Sequence, residues 1–206
     1  KRLASEGVKE LVLVAQETTL YGKDLTGEKQ LPLLLHELCK IEGIEWIRLL
    51  YCYPEEITDE LIEAIKTEEK VCNYIDMPIQ HSENRILQRM GRRTSREDLV
   101  AVIKKLRQEI PDITIRTTLI TGFPGESEED HEGLMNFVEE CKFDRLGVFT
   151  YSPEEDTLAA TFEDQIDEEV KEARRDELMS LQQEISYEHT QQLVCLLYTS
   201  PSPRDM

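Results

Sequence analysis

The sequence predicts an α/β protein, an open or partial βα barrel followed by one long C-terminal helix. Three observations carry that expectation. Short runs rich in Val, Ile, Leu and Tyr alternate with longer segments whose apolar residues recur every three or four positions, the pattern of βα units around a mainly parallel sheet. Five such strands can be counted. Each ends in Gly, Pro, Gln, Tyr or Thr rather than a plain polar turn, and those ends are where βα barrels gather ligands.

In chain order, the opening "KRLASEGVKE" reads as the last turns of a helix already under way. "ELVLVAQ" is the first strand, "QLPLLLHELCKI" the helix after it, and "WIRLLYCYP" the second strand. Thr58 caps "TDELIEAIKT", although Leu61 stands where a reciprocal acid would complete a capping box. "YIDMPIQ" is the third strand, and "SREDLVAVIKKLRQEI" follows with Ser95 as cap and Asp98 at its third position. "ITIRTTLITG", "SEEDHEGLMNFVEEC" and "RLGVFTYSP" complete the strand–helix–strand series. From Gln165 to about Val194 a single helix is expected, with Val170, Ala173, Leu178, Leu181 and Ile185 as its apolar stripe. The expected plan is a barrel over 1–162, a C-terminal helix over 163–194 and a tail over 195–206. In the tail Pro201 and Pro203 forbid helix, and its composition resembles a translated cloning scar.

The 206 residues suffice for one sizeable core with an appendage. Lys plus Arg is 24 against 43 for Asp plus Glu, a net charge of −19. Such a surface repels phosphate backbones and favours a basic protein partner or a small ligand in a shielded cleft. No apolar run approaches the roughly 20 residues of a membrane span and no signal peptide opens the chain, so a cytoplasmic location without membrane contact is expected. Cys39, Cys52, Cys72, Cys141 and Cys195 lack metal-knuckle spacing and read as reduced, mostly buried thiols. No metal ligand is predicted.

The stretch "RTTLITGFPGESEED" carries the clearest chemical signal. Gly122 and Gly125 permit positive φ and close backbone approach, and Pro124 stiffens the path between them. A phosphate cradle would need a following Lys or a helix start free of competing anions. Here Glu126, Glu128, Glu129 and Asp130 already occupy the helix start. A nucleoside without phosphates, its ring against the Gly backbone, fits instead, so the turn favours an adenosyl-type ligand.

Together "AQETTLYG", "YIDMPIQHSENRILQRMGRR", "RTTLITGFPGESEED" and "FTYSPEEDT" resemble the radical S-adenosylmethionine methylthiotransferases. The closest resemblance is to the RimO type, which modifies an aspartate of a small-subunit ribosomal protein. The similarity runs from about Lys1 to Val194. It implies a partial barrel of the radical-SAM type holding S-adenosyl-L-methionine against a 4Fe-4S cluster, which releases a hydrogen-abstracting 5′-deoxyadenosyl radical. It also implies a second cluster on an N-terminal domain and a C-terminal TRAM module. By the same resemblance Thr118, Ile120 and Gly122 match the adenine-side motif, with Thr118 in place of its first Gly and Glu126 delayed by one residue. Phe123 and Pro124 continue that turn, Gln16 and Glu17 lie toward the methionine end, and Gln80 and Arg116 complete the cofactor candidates. No catalytic residue is assigned. The family's Cys-x-x-x-Cys-x-x-Cys triad follows the first barrel strand, and this chain starts after that point. The expectation is therefore a fragment, inactive alone, lacking its first strand and cluster loop.

The tRNA-modifying relatives tend to read Gln-Asn-Val-Asn where this chain has Gln16-Glu17-Thr18-Thr19, and the acidic charge also disfavours tRNA. A ribosomal protein is thus the expected substrate, methylthiolated at an aspartate β-carbon, with an electron donor as the other partner. The alternatives are a tRNA methylthiotransferase and a cluster-less barrel that binds a nucleoside or a partner. His81 reads either as a functional residue, shuttling a proton or bonding the cofactor, or as a half-solvated rim residue. Arg116 shares a strand face with Thr118 and needs an anion: a cofactor carboxylate, a substrate aspartate or a structural Glu. Tyr51, Tyr53 and Tyr151 either line the cavity or pack. The Arg89 to Arg93 cluster is a solvated loop or an RNA contact. An incomplete barrel exposes an edge, and poor solubility is expected.

Overall fold

The structure, a computed structural model, describes residues 1–199. Strands β1 (Glu10–Leu13), β2 (Trp46–Leu49), β3 (Val71–Asp76), β4 (Thr114–Thr121) and β5 (Arg145–Thr150) form one sheet. Their order is β1-β2-β3-β4-β5, and every neighbouring pair is parallel. The helices are α1 (Arg2–Ser5), α2 (Lys23–Thr26), α3 (Leu31–Cys39), α4 (Asp59–Thr67), α5 (Asn84–Arg89), α6 (Arg96–Glu109), α7 (Glu128–Cys141) and α8 (Glu168–Thr199). Along β4, Ile115, Thr117, Leu119 and Thr121 are buried while Arg116, Thr118 and Ile120 are only partly covered. The period of two sorts a helix-covered face from an open, concave one. Ile47, Leu49, Ile75, Leu99, Leu106 and Phe137 anchor the core on the covered face, each worth about 1.5–3 kcal/mol relative to exposure. The expected partial βα barrel is the fold observed.

Local signals hold where they depend on near neighbours. Thr58 accepts from the Leu61 amide, and complete capping boxes join Ser95 to Asp98 and Ser127 to Asp130. β3 departs from its expected span, starting at Val71 and ending at Asp76. Pro78 has no N–H to give the ladder; Thr117 fills the break by donating to the Met77 carbonyl at 2.8 Å. Pairing resumes as a single bridge between Gln80 and Leu119, with Gln80 at φ 72°.

The long helix runs from Glu168 to Thr199, past the expected end at Val194; the rest of the expected tail, from Ser200 on, lies outside the described residues. Its buried stripe also differs. Lys171, Arg174, Leu178, Gln182 and Ile185 are buried, whereas Val170 and Ala173 face solvent. The reason is hydrogen bonding. Strand and loop ends under α8 present carbonyls and a carboxylate, which must be paired once buried. Lys171 Nζ donates to the Tyr151 carbonyl at 3.0 Å, and Gln182 Nε2 to that of Phe143 at 2.8 Å.

Candidate functional site

Two cavities open at the C-terminal edge of the sheet and share Gln80, Thr118 and Phe149 as a common wall. The first, 580 Å³, is walled mainly by Ile120, Phe123, Tyr151, Met90 and Leu158. Its back is a small aromatic cluster in which Phe123 meets Tyr151 edge-on at 5.2 Å and Phe162 at 6.4 Å. The second, 540 Å³, is polar, with Gln16, Tyr51, Tyr53, Asp76 and Arg116 on its lining. Both fall within the range of small-molecule sites.

Arg116 finds its anion on the neighbouring strand. Its Nη1 donates to Asp76 Oδ1 at 2.6 Å; the partner is a structural carboxylate, an Asp where a Glu was one expectation. Asp76 is itself buried and also accepts the Tyr51 amide at 3.1 Å. The Arg116 side chain stays 42% exposed, so its remaining donors face the cavity, where a ligand carboxylate would be met bidentately.

Behind the first cavity lies a buried charge cluster. Glu126 Oε2 accepts the Gly122 amide at 2.9 Å, and Oε1 accepts Arg174 Nη1 at 2.8 Å. His81 is fully buried, and its Nε2 lies 3.3 Å from Glu126 Oε2, off the line of a good hydrogen bond. The Glu83 amide donates to His81 Nδ1 at 3.0 Å, which places the ring proton on Nε2, toward the carboxylate. Burial alone would raise the Glu126 pKa; His81, the Gly122 amide and Arg174 outweigh it and hold the carboxyl below its ordinary value. His81 is thus not a half-solvated rim residue, and it lines neither of the two cavities.

Of the nine cofactor candidates, Gln16, Gln80, Arg116, Thr118, Ile120 and Phe123 line the cavities. Glu17, Gly122 and Pro124 do not. Glu17 accepts from the Thr19 amide at 2.9 Å and the Tyr53 amide at 3.1 Å, tying the ends of β1 and β2 together. Burial is the main cause that raises its pKa. Gly122 sits at φ 68°, and a Cβ there would strike the Lys171 side chain; its small size serves the approach of α8. Two arginines of the basic cluster are engaged within the chain, while Arg93 is exposed. Arg89 stacks on Phe162 at 4.6 Å and bonds Asp164 at 2.7 Å, while Arg92 stacks on Tyr53 at 4.6 Å. Phe149, 61% exposed on the concave face, was missed. Its alternation with Gly147 and Arg145 along β5 was the available signal.

The described residues do not fit an iron–sulfur cluster. Cys39, Cys52, Cys72 and Cys141 sit on separate elements, and no three metal-binding side chains converge among the described residues. Burial pushes the Cys39 and Cys141 thiols up to about 11, the opposite of what thiolate ligation requires. The adenosyl cofactor does fit: an apolar cavity suits the adenine ring, and the adjoining polar one an amino-acid end.

Fold and site together define a parallel βα barrel with an amphipathic small-molecule site at the C-terminal edge of its sheet. The chain belongs to the radical SAM superfamily, whose family model matches residues 1–138. Among curated relatives, it is 62% identical over 194 residues to the ribosomal protein uS12 methylthiotransferase RimO of Lachnoclostridium phytofermentans, covering 94% of this chain and 44% of that protein. It is 60% identical over 188 residues to the RimO of Clostridium perfringens, covering 91% and 42%. The chain thus spans less than half the length of these relatives. Among solved structures, the radical S-adenosylmethionine methyltransferase TsrM of Kitasatospora setae superposes with a TM-score of 0.56 at 17% identity, over 72% of this chain and 29% of that one. Elp3 of Methanocaldococcus infernus does so at 0.55 and 14%, over 88% and 47%. At these identities the structural matches speak for the fold alone. The superfamily's chemistry implies S-adenosylmethionine and a 4Fe-4S cluster as cofactors.

Proposed function

We propose that this chain is the cofactor-binding core of a methylthiotransferase that modifies the β-carbon of an aspartate in ribosomal protein uS12. The observation that carries the reading is the pair of adjoining cavities, one apolar and one charged, that share Gln80, Thr118 and Phe149. Relatives at 60–62% identity narrow the reaction and its substrate. S-adenosylmethionine would supply the hydrogen-abstracting chemistry when bound. Ile120 and Phe123 hold the adenine ring by packing, and Gln80 and Thr118 supply hydrogen bonds at the shared wall. Arg116 orients a carboxylate in the polar cavity, with Gln16 at its edge. The net charge of −19 suits a basic ribosomal protein better than tRNA. A cytoplasmic location and an electron-donor partner go with this reading. Among the described residues no helix is long and apolar enough to cross a membrane.

The test uses the full-length protein with reconstituted clusters, S-adenosylmethionine and a chemical reductant. It is offered uS12 and tRNA separately, and both products are analysed by mass spectrometry. A methylthio group on a uS12 aspartate is expected. Methylthiolated tRNA with unmodified uS12 would overturn the choice of substrate.

A further inference from the structure

Two buried cations on α8 stand directly behind the apolar cavity, and their role rests on that cavity being the adenosyl site. Arg174, 7% exposed, reaches the turn after β4 through three bonds: to Glu126 Oε1 at 2.8 Å, to the Glu126 carbonyl at 3.1 Å and to Glu128 Oε2 at 3.1 Å. Glu126 in turn holds the Gly122 amide, which fixes the turn that carries Phe123 into the cavity wall. One turn earlier on α8, Lys171 holds the Tyr151 carbonyl and lies 5.5 Å from the centre of the Tyr151 ring. Tyr151 is the second aromatic wall of the same cavity. A buried cation needs a compensating partner: Arg174 finds Glu126 in the turn after β4 and Glu128 at the start of α7, while Lys171 adds Glu168 of α8 itself, at 3.1 Å, to the Tyr151 carbonyl. α8 lies wholly beyond the 1–138 span that the family model matches.

We propose that α8 is a clamp on the adenosyl pocket, with Arg174 and Lys171 as positioning residues that act through Glu126 and Tyr151. Neither cation lines either of these two cavities. They set where Phe123 and Tyr151 stand, and hence the shape of the aromatic wall that these two rings form together. The clamp governs the adenine side of the site and leaves the Arg116 side largely untouched, because that cavity draws most of its walls from β3 and the loops after β1, β2 and β3, and shares only Gln80, Thr118 and Phe149 with the first.

The full-length, cluster-loaded protein tests this by calorimetric titration with 5′-deoxyadenosine and, separately, with methionine. Arg174→Met is expected to weaken 5′-deoxyadenosine by about tenfold, equivalent to about 1.4 kcal/mol, with methionine affinity unchanged and Arg174→Lys recovering part of the loss. Gln182→Ala removes a buried anchor at the far part of α8 and serves as the control; it is expected to lower the melting temperature without changing either affinity. Unchanged 5′-deoxyadenosine binding in Arg174→Met, or an equal loss in Gln182→Ala, would overturn the clamp. Should Arg174→Met fail to fold, the neutral pair Arg174→Met with Glu126→Gln takes its place, with the same loss expected and unchanged affinity again overturning the proposal. Failure of the wild-type protein to bind 5′-deoxyadenosine would instead remove the adenosyl reading itself, before any variant is compared.

Discussion

The two cavities are built on one sheet and are nearly equal in volume, 580 and 540 Å³, yet they are held in opposite ways. The cavity beside β4 and β5 has interlocking aromatic walls, and α8 braces it through buried ions. The cavity over β1 to β4 is held by the ends of the strands themselves, with Val14 58% exposed at its rim. Its main charge pair, Arg116 with Asp76, faces the ligand space. The contrast teaches that the apolar half gains its shape from elements outside the sheet, whereas the polar half takes its shape from adjacent strands. The first should be rigid and sensitive to distant substitutions, the second tolerant in shape and sensitive to charge.

Removing an aromatic wall tests that difference hardest. Phe123→Ala should cost about 3–5 kcal/mol in urea unfolding, while Tyr51→Ala in the polar cavity, where Tyr51 is exposed, should cost less than about 1 kcal/mol. Comparable losses would erase the distinction. On the polar side, Arg116→Met leaves the buried Asp76 with little more than the Tyr51 amide and should cost about 1–3 kcal/mol. Adding Asp76→Asn should recover most of that, and a double-mutant cycle with no coupling would count against the pair.

Acid should act through the braced side. The Glu126 carboxyl is held below its ordinary value of 4.5, so its stabilisation is fully present above that value and is lost as pH falls below it through the folded-state pKa. Unfolding free energies measured from about pH 6 to about pH 3 should fall less steeply in Glu126→Gln. Identical slopes would mean that other carboxylates set the acid limb; Asp98 and Asp130, both held low within capping boxes, are the nearest competitors. The smallest effect expected lies far from both cavities. Ser95→Ala should cost about 1 kcal/mol and leave 5′-deoxyadenosine affinity alone; a change in affinity would show that α6 also shapes the site.

Much of the site was legible because its residues sit at strand ends, and strand ends can be counted from alternation. Thr118, Ile120 and Arg116 share a face by the period of two, and Phe123 follows directly in the turn. Glu17 and Gly122 were placed in the correct loops, but their partners could not be read. Glu17 bonds Tyr53 across the gap between two strands, and Gly122 makes room for Lys171 of α8. The α8 stripe shows the same limit. Apolar periodicity selects Val170 and Ala173, but the surface beneath the helix carries carbonyls and a carboxylate, so Lys171 and Arg174 turn inward.

The sequence by itself determined the βα alternation, the mainly parallel sheet, the Thr58 and Ser95 caps and the family to which the chain belongs. Each of these depends on residues within a few positions of one another, or on motifs read along the chain. Only the tertiary structure decided which buried charges are paired. Arg116 meets Asp76 across 40 positions, and Arg174 meets Glu126 across 48. A buried charge must find an opposite partner in space, and when many acids and bases are available the sequence ranks none of them. Packing the elements selects one.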